Sequence, residues 1–257
     1  MNMARILFAW SACAYLLAVV IAACSAPTSR VVVRPAAVQG AEPVGMDTCA
    51  FCHAEKVRDF EFTAHYRPFV SKDERDIVGC EACHGEGSLH LEVGGGKGRF
   101  IINPEKNPAV CYECHAAKNA AFNLQYHHPV REGRIDCTHC HDPHGENIFL
   151  AEGMKMGLTN AVCNQCHREK AGHHVFEHEA LREGCTMCHN PHGSINDKLL
   201  VENDNNLCLK CHGQVALPGT VTIGDFDHTG QLTQGACWSA GCHTAVHGSN
   251  INPHLRY

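Results

Sequence analysis

Residues 127–145 read HHPVREGRIDCTHCHDPHG, and residues 178–193 read HEALREGCTMCHNPHG. Laid over each other, the two stretches share an opening histidine, an Arg-Glu-Gly triplet, a Cys-x-x-Cys-His centre and a closing Pro-His-Gly. Such repetition within one chain marks a repeated structural unit. The centre carries the chemistry. Two thiols at this spacing can bond the two vinyl groups of one porphyrin, and the histidine that follows then reaches the iron from the proximal face. The words read as covalent attachment of c-type haem.

Outward from these two stretches the same centre recurs along the chain. It stands at Cys49, Cys52 and His53; at Cys80, Cys83 and His84; at Cys111, Cys114 and His115; and at Cys137, Cys140 and His141. It continues at Cys163, Cys166 and His167; at Cys185, Cys188 and His189; and at Cys208, Cys211 and His212. The eighth is wider, with four residues between Cys237 and Cys242 before His243, so Trp238 to Gly241 must loop out. One such motif could be a redox dithiol or half of a zinc site. Eight with a histidine at the same offset could not, and the spacing also rejects a disulfide scaffold despite 18 cysteines. Eight haems c are expected, with those eight histidines as proximal ligands.

Of 21 histidines, thirteen remain for other work. Mapped on the chain, they make an isolated motif alternate with a flanked one, four times. The isolated motifs begin at Cys49, Cys111, Cys163 and Cys208. The flanked ones have a histidine on each side: His65 and His90, His127 or His128 and His144, His178 and His192, His228 and His247. Each two-haem unit supplies two spare histidines, and four units supply the eight that open sixth positions require. The alignment of the two opening stretches sets His178 opposite His127 and favours His127 over His128. The expected distal set is thus His65, His90, His127, His144, His178, His192, His228 and His247. In Asp142-Pro143-His144 and Asn190-Pro191-His192 the proline fixes a turn that swings the second histidine toward a neighbouring haem. His139, His173, His174 and His254 are left to surface or propionate contacts, and the methionines to packing.

Several flanking words resemble a known family. They are Phe62-Thr63-Ala64-His65, Cys80-Glu81-Ala82-Cys83-His84-Gly85, the HHPVREG stretch, CHDPHG, CHNPHGS and His247-Gly248-Ser249-Asn250. From about Thr48 onward the chain is similar to the outer-membrane DmsE-type decahaem cytochromes, which include periplasmic partners of porin–cytochrome conduits. The resemblance implies a slender haem wire with histidine on both faces of every iron. It implies His65, His90, His144, His178, His192, His228 and His247 as distal ligands. It also implies insertion in, or docking to, an outer-membrane β-barrel porin, with other multihaem cytochromes as partners. Three features depart from the pattern: eight motifs where the family usually has ten, the wide last motif, and Glu86 where proline is common. The first bears on whether the wire crosses a membrane alone or feeds a second cytochrome.

The chain opens on Arg5 and a mostly apolar run from Ile6 to Ala23, which reads as an export signal over residues 1–23. A retained helix is the alternative. Ile21-Ala22-Ala23-Cys24 resembles a lipobox, with Cys24 lipidated and Ser25 directing the product to the outer membrane. Residues 24–45 read as a tether, and 46–257 as the octahaem cytochrome domain. The expected location is the periplasmic face of the outer membrane, or a barrel within it. A net charge of −6 argues against nucleic acid as a partner.

Motif starts lie 31, 31, 26, 26, 22, 23 and 29 residues apart, which leaves little room for long helices. The expected fold is a multihaem cytochrome c: mostly irregular and elongated, with little or no sheet. Short helices are expected around the motifs, over 116–124 and over 160–170. Gly94 to Gly98 reads as a flexible loop, not a phosphate cradle. With every iron closed by two histidines, the expected function is electron transfer within an outer-membrane, extracellular electron-transfer conduit, not catalysis. A filament-forming cytochrome is one rival. An oxyanion reductase is another, and it would need an open iron with acid–base groups.

Overall fold

The computed structural model describes residues 37–66, 79–105, 107–145, 158–239 and 241–257. The expected signal, Cys24 and the first part of the expected tether lie outside the described residues, as do Met154 and Met156.

The elements follow the motifs. Helix α1 spans Met46–Phe60, but its backbone leaves the helical region at His53 (φ −118°, ψ 40°). The same bend recurs at His115 (φ −99°, ψ 45°), between α4 (Pro108–Tyr112) and α5 (Ala116–Ala121). It recurs again at His167 (φ −97°, ψ 50°), between α6 (Leu158–Asn164) and a 3₁₀ turn over Arg168–Lys170. Motifs 1, 3 and 5 therefore share one local fold. A helical turn carries the first cysteine, the proximal histidine bends the chain, and a second helical segment leads away. Pro108 opens α4, where its fixed φ suits the first helical turn and its missing N–H costs nothing.

The flanked motifs sit in shorter turns: α2 (Glu81–His84), followed by α3 (Ser88–Glu92), and 3₁₀ turns over Cys137–His139 and Cys185–Met187. Helix α7 (Asp204–Leu209) leads into motif 7. Across motifs 2 to 7 the proximal N–H donates to the carbonyl of the first cysteine at 2.9–3.0 Å. In the wide eighth motif His243 donates to the Cys237 carbonyl at 2.9 Å, so the two extra residues bulge without opening that closure.

Strands β1 (Gln214–Leu217), β2 (Thr220–Ile223) and β3 (Phe226–Asp227) form an antiparallel sheet in that order. Leu217 pairs with Thr220 around Pro218-Gly219, where Gly219 has φ +83°, the conformation a Pro-Gly turn of type II demands. No sheet was expected here. The strands are four residues or fewer and mostly exposed, so they carry no apolar alternation to read.

Buried apolar side chains are few and scattered: Phe122, Val130, Val162, Leu200, Ala236 and Ala245 among the described residues. Burial of apolar surface is the main driving force of folding, and the described residues provide no continuous core of their own. Isolated bridges instead join distant segments, Tyr126 with Ser194 and Phe176 with Ser249. Among the described residues no helix is long and apolar enough to cross a membrane.

Candidate haem sites

Seven proximal histidines each face a second histidine. His84 faces His144 with ring centroids 5.9 Å apart, His115 faces His65 at 6.0 Å, and His141 faces His192 at 6.1 Å. His167 faces His128, His189 faces His247 and His212 faces His178, each at 6.1 Å, and His243 faces His228 at 6.4 Å. Two imidazoles sharing one metal at about 2.0 Å per bond have centroids roughly 6.3 Å apart. The chain repeats that spacing seven times. Among the described residues no three His, Cys, Asp or Glu side chains converge as a bare metal site would require. Two axial imidazoles and no further protein ligand fit an iron whose four equatorial positions belong to a porphyrin.

Backbone carbonyls fix which ring nitrogen is free. Nδ1–H of His84 donates to Ile102 O at 2.8 Å, that of His189 to Lys198 O at 2.7 Å, and that of His243 to His254 O at 2.7 Å. On the facing side, His128 donates to Pro191 O at 2.7 Å, His178 to Val246 O at 3.0 Å and His228 to Phe226 O at 2.9 Å. Each bond leaves the Nε2 lone pair available, the usual support of a metal-binding histidine. Burial also holds His65, His84, His141 and His247 below the ordinary histidine range, and His192 down to about 4, so these rings are neutral.

His127 is the exception. Its Nδ1 donates to Leu124 O at 2.7 Å and its Nε2 to a Glu132 carboxylate oxygen at 3.2 Å. The Glu132 hydrogen bond raises its pKa and favours the charged ring, which has no lone pair to give. The geometry therefore sets His128, not the favoured His127, opposite a proximal histidine. The motif alignment alone does not separate the two, because the chain passes both residues within one turn. His90 donates from Nδ1 to Arg99 O at 2.8 Å, and His53 and His90 are both close enough to His84 to lower its pKa.

The thiols lie in chain order. Cys49 and Cys80 share a hydrogen bond, as do Cys111 and Cys137, Cys163 and Cys185, and Cys208 and Cys237. As free thiols, Cys163 and Cys208 are pushed up to about 12 by burial and by these neighbours, while a bond from Cys111 brings Cys137 down to about 7. Between units the second cysteines lie near enough for Cys114 to raise the pKa of Cys83, Cys166 that of Cys140 and Cys211 that of Cys188, each beside the larger effect of burial.

Two features escaped the sequence reading. The glycine after each returning histidine is a contact with the preceding unit. A Cβ on Gly145 would lie 2.8 Å from Asp59 O and from Thr63 Cγ2; on Gly193 it would strike Ala121 O; on Gly248 it would strike the His174 ring. The repeated His-Gly words held that signal. The second feature is an asparagine three residues before Cys163 and before Cys208, in Asn160-Ala161-Val162-Cys163 and Asn205-Asn206-Leu207-Cys208. Each reaches the first cysteine of the next motif. Of the remaining histidines, His139 caps the turn at Asp136, and His254 lends its carbonyl to His243.

Paired cysteines, each pair followed by an imidazole, with seven of the eight imidazoles facing a second across an iron-sized gap, define a class: the multihaem c-type cytochromes. The family model described as the doubled CXXCH motif matches residues 127–172 and 178–217. The chain is 29% identical over 268 residues to the multihaem cytochrome MtrA of Shewanella baltica (strain OS185), across 81% of this chain and 79% of that one. Both findings support a multihaem c-type cytochrome, similar to those of the conduit family, that transfers electrons through haem c.

Proposed function

We propose that the chain binds eight haems c, strung in sequence order, and is one link of a conduit moving electrons across an outer membrane. The observation that carries this reading is the set of seven facing imidazole pairs along a continuous series of neighbouring cysteines. The sixteen cysteines from Cys49 to Cys242 hold the porphyrins, and the eight following histidines are proximal ligands. The distal ligands are His90, His144, His65, His192, His128, His247, His178 and His228, for haems 1 to 8 in turn. His90 is assigned to haem 1 because His53 is the one proximal histidine outside the seven pairs, and His90 is the flanking histidine of the same unit that is also outside them. The bound haem iron supplies a one-electron change. The chain's part is to close both axial positions, hold the ligating imidazoles neutral and keep neighbouring rings close. No position is left for substrate, and no residue is assigned a catalytic role.

Location and partners follow from the leader and the family resemblance. Cys24 carries a lipid anchor on the periplasmic face of the outer membrane. A β-barrel porin provides the passage, because closed barrels are the structures that line a polar route through lipid. Other multihaem cytochromes deliver or collect the electrons.

Intact mass under denaturing conditions tests the haem count: eight haem masses are expected, and seven would remove the wide motif from the set. For the conduit, purified protein and its candidate barrel are placed in liposomes holding an internal redox dye, with reductant outside. Dye reduction should need both proteins. Transfer that never depends on the barrel would sink the conduit reading and favour a free shuttle. Cys24→Ser should release the protein from membranes; unchanged membrane extraction would rule out the lipid as the anchor.

A further inference from the structure

We propose that Asn160 and Asn205 are positioning residues that set the spacing of the two haems within the third and fourth units. The inference rests on the reading that motifs 5 to 8 each carry a haem. Asn160 lies in α6, three residues before Cys163. Its Oδ1 accepts the Cys185 N–H at 2.9 Å and its Nδ2 donates to Leu181 O at 2.8 Å. Asn205 lies in α7, three residues before Cys208. Its Oδ1 accepts the Cys237 N–H at 2.8 Å, and its Nδ2 lies 3.4 Å from both Leu232 O and Gly235 O. The same residue type, at the same offset, makes the same bond to the first cysteine of the following motif. The two sites span 25 and 32 residues of chain, so local sequence does not force the agreement.

The bond has a direct geometric consequence. In each unit the first cysteines of the two motifs are neighbours, Cys163 with Cys185 and Cys208 with Cys237. Each thiol also reaches the asparagine oxygen at 3.0 Å, a contact that ends once the sulfur is a thioether. The backbone bond does not depend on the thiol and survives attachment. A side-chain amide that donates to a loop carbonyl and accepts from the N–H of the following motif's first cysteine fixes a helix against a haem-binding turn more firmly than either bond alone. It touches no iron ligand. It therefore acts on the gap between porphyrin edges, and electron transfer falls off steeply with that gap. The first unit is built otherwise: Glu81, in motif 2, accepts from Val44, Gly45 and Gly87 N–H at 2.9, 3.1 and 2.9 Å and so grips the start of α1.

The test uses the full-length holoprotein with Asn160→Ala, Asn160→Asp and Asn205→Ala. Denatured mass and the low-spin signal report haem count and ligation; magnetic coupling between haems and the redox titration report spacing. Both alanine variants should keep eight haems, all low-spin, while one coupled pair of resonances becomes uncoupled and its potentials draw together. Asn160→Asp should retain the coupling, because a carboxylate still accepts the Cys185 N–H. Unaltered coupling and potentials in both alanine variants would overturn the proposal, as would Asn160→Asp behaving like Asn160→Ala. Loss of haem in the alanine variants would also overturn it, since the residues would then serve attachment. A wild-type mass with fewer haems, by contrast, would count against the eight-haem reading itself.

Discussion

The boundaries between two-haem units and the two ends of the chain are closed in different ways. At each boundary the facing histidines cross in both directions. His144 reaches back to His84 while His65 reaches forward to His115; His192 meets His141 while His128 meets His167; His247 meets His189 while His178 meets His212. The carbonyl before the returning histidine even accepts from the outgoing one, Pro191 from His128 and Val246 from His178. The first and last units are arranged differently. His228 folds back to His243 in its own unit, and His90 stays near His84. The contrast teaches that the units are mutually dependent. Each interior histidine pair is completed by another unit's chain, whereas His228 and His243 pair within one unit.

The largest way to break a boundary is at its glycine. Gly193→Ala would drive a methyl into the Ala121 carbonyl oxygen, in a segment where Tyr126 and Ser194 exchange backbone bonds at 3.1 and 2.8 Å. His192 is adjacent, so the loop cannot retreat without withdrawing it from His141. Overpacking of this kind costs about 3 kcal/mol or more. A lowered Tm together with a high-spin signal from one haem is the expected result. Gly230→Ala meets nothing within 4 Å and is the control that should leave both unchanged.

Next in size is a pair that sets boundary against end. His65→Ala and His228→Ala should each open one iron and give one high-spin haem in eight. The first removes half of an exchange between units and should lower Tm further than the second, which leaves all three boundaries whole. Equal Tm shifts would mean that the exchanged ligands do not hold the units together. A finer comparison is His127→Ala against His128→Ala. The first should leave every haem low-spin, since both of its ring nitrogens are already engaged; the second should not.

The sequence was most readable where the chemistry is covalent and local. The cysteines and proximal histidines are legible because the chemistry of attachment and axial ligation repeats one spacing seven times and a widened form of it once. The spare histidines could be picked out by repetition, and the Asp-Pro-His turn is seen with Asp142 Oδ1 accepting the His144 N–H at 2.9 Å. Which ring each would face was not readable. The partner lies a full unit away in the chain, and tertiary packing alone selects it. The His127 and His128 choice turns on such packing: the bond that places His128 is to Pro191 O, 63 residues on. Asn160 and Asn205 were invisible for another reason. An asparagine inside a short helix carries no signal of its own, and only its bond to the next motif sets these two apart. The small sheet escaped because its strands bury no face.

The smallest expected effect lies at the end of the chain, and it sharpens how the last boundary is set. Asp197, Lys198 and Leu199 form a tight turn in which Lys198 has φ +56° and Leu199 φ +61°. That turn aims the Lys198 carbonyl at the proximal His189. It also brings the Lys198 ammonium over the Trp238 ring, 4.2 Å from its centre, in the bulge of the wide motif. One residue thus touches the sixth motif through its backbone and the eighth through its side chain. Lys198→Ala keeps the carbonyl and removes the ammonium. A cation–π contact at a partly exposed site is worth about 0.5–1 kcal/mol, so Tm should fall slightly with no change in haem count or spin state. Trp238→Leu should fall by a similar amount, and the double variant by little more than either single one, because both delete the same contact. Additive losses would mean that lysine and tryptophan act apart, and that the bulge of the eighth motif is held by its own closure at Cys237 and His243.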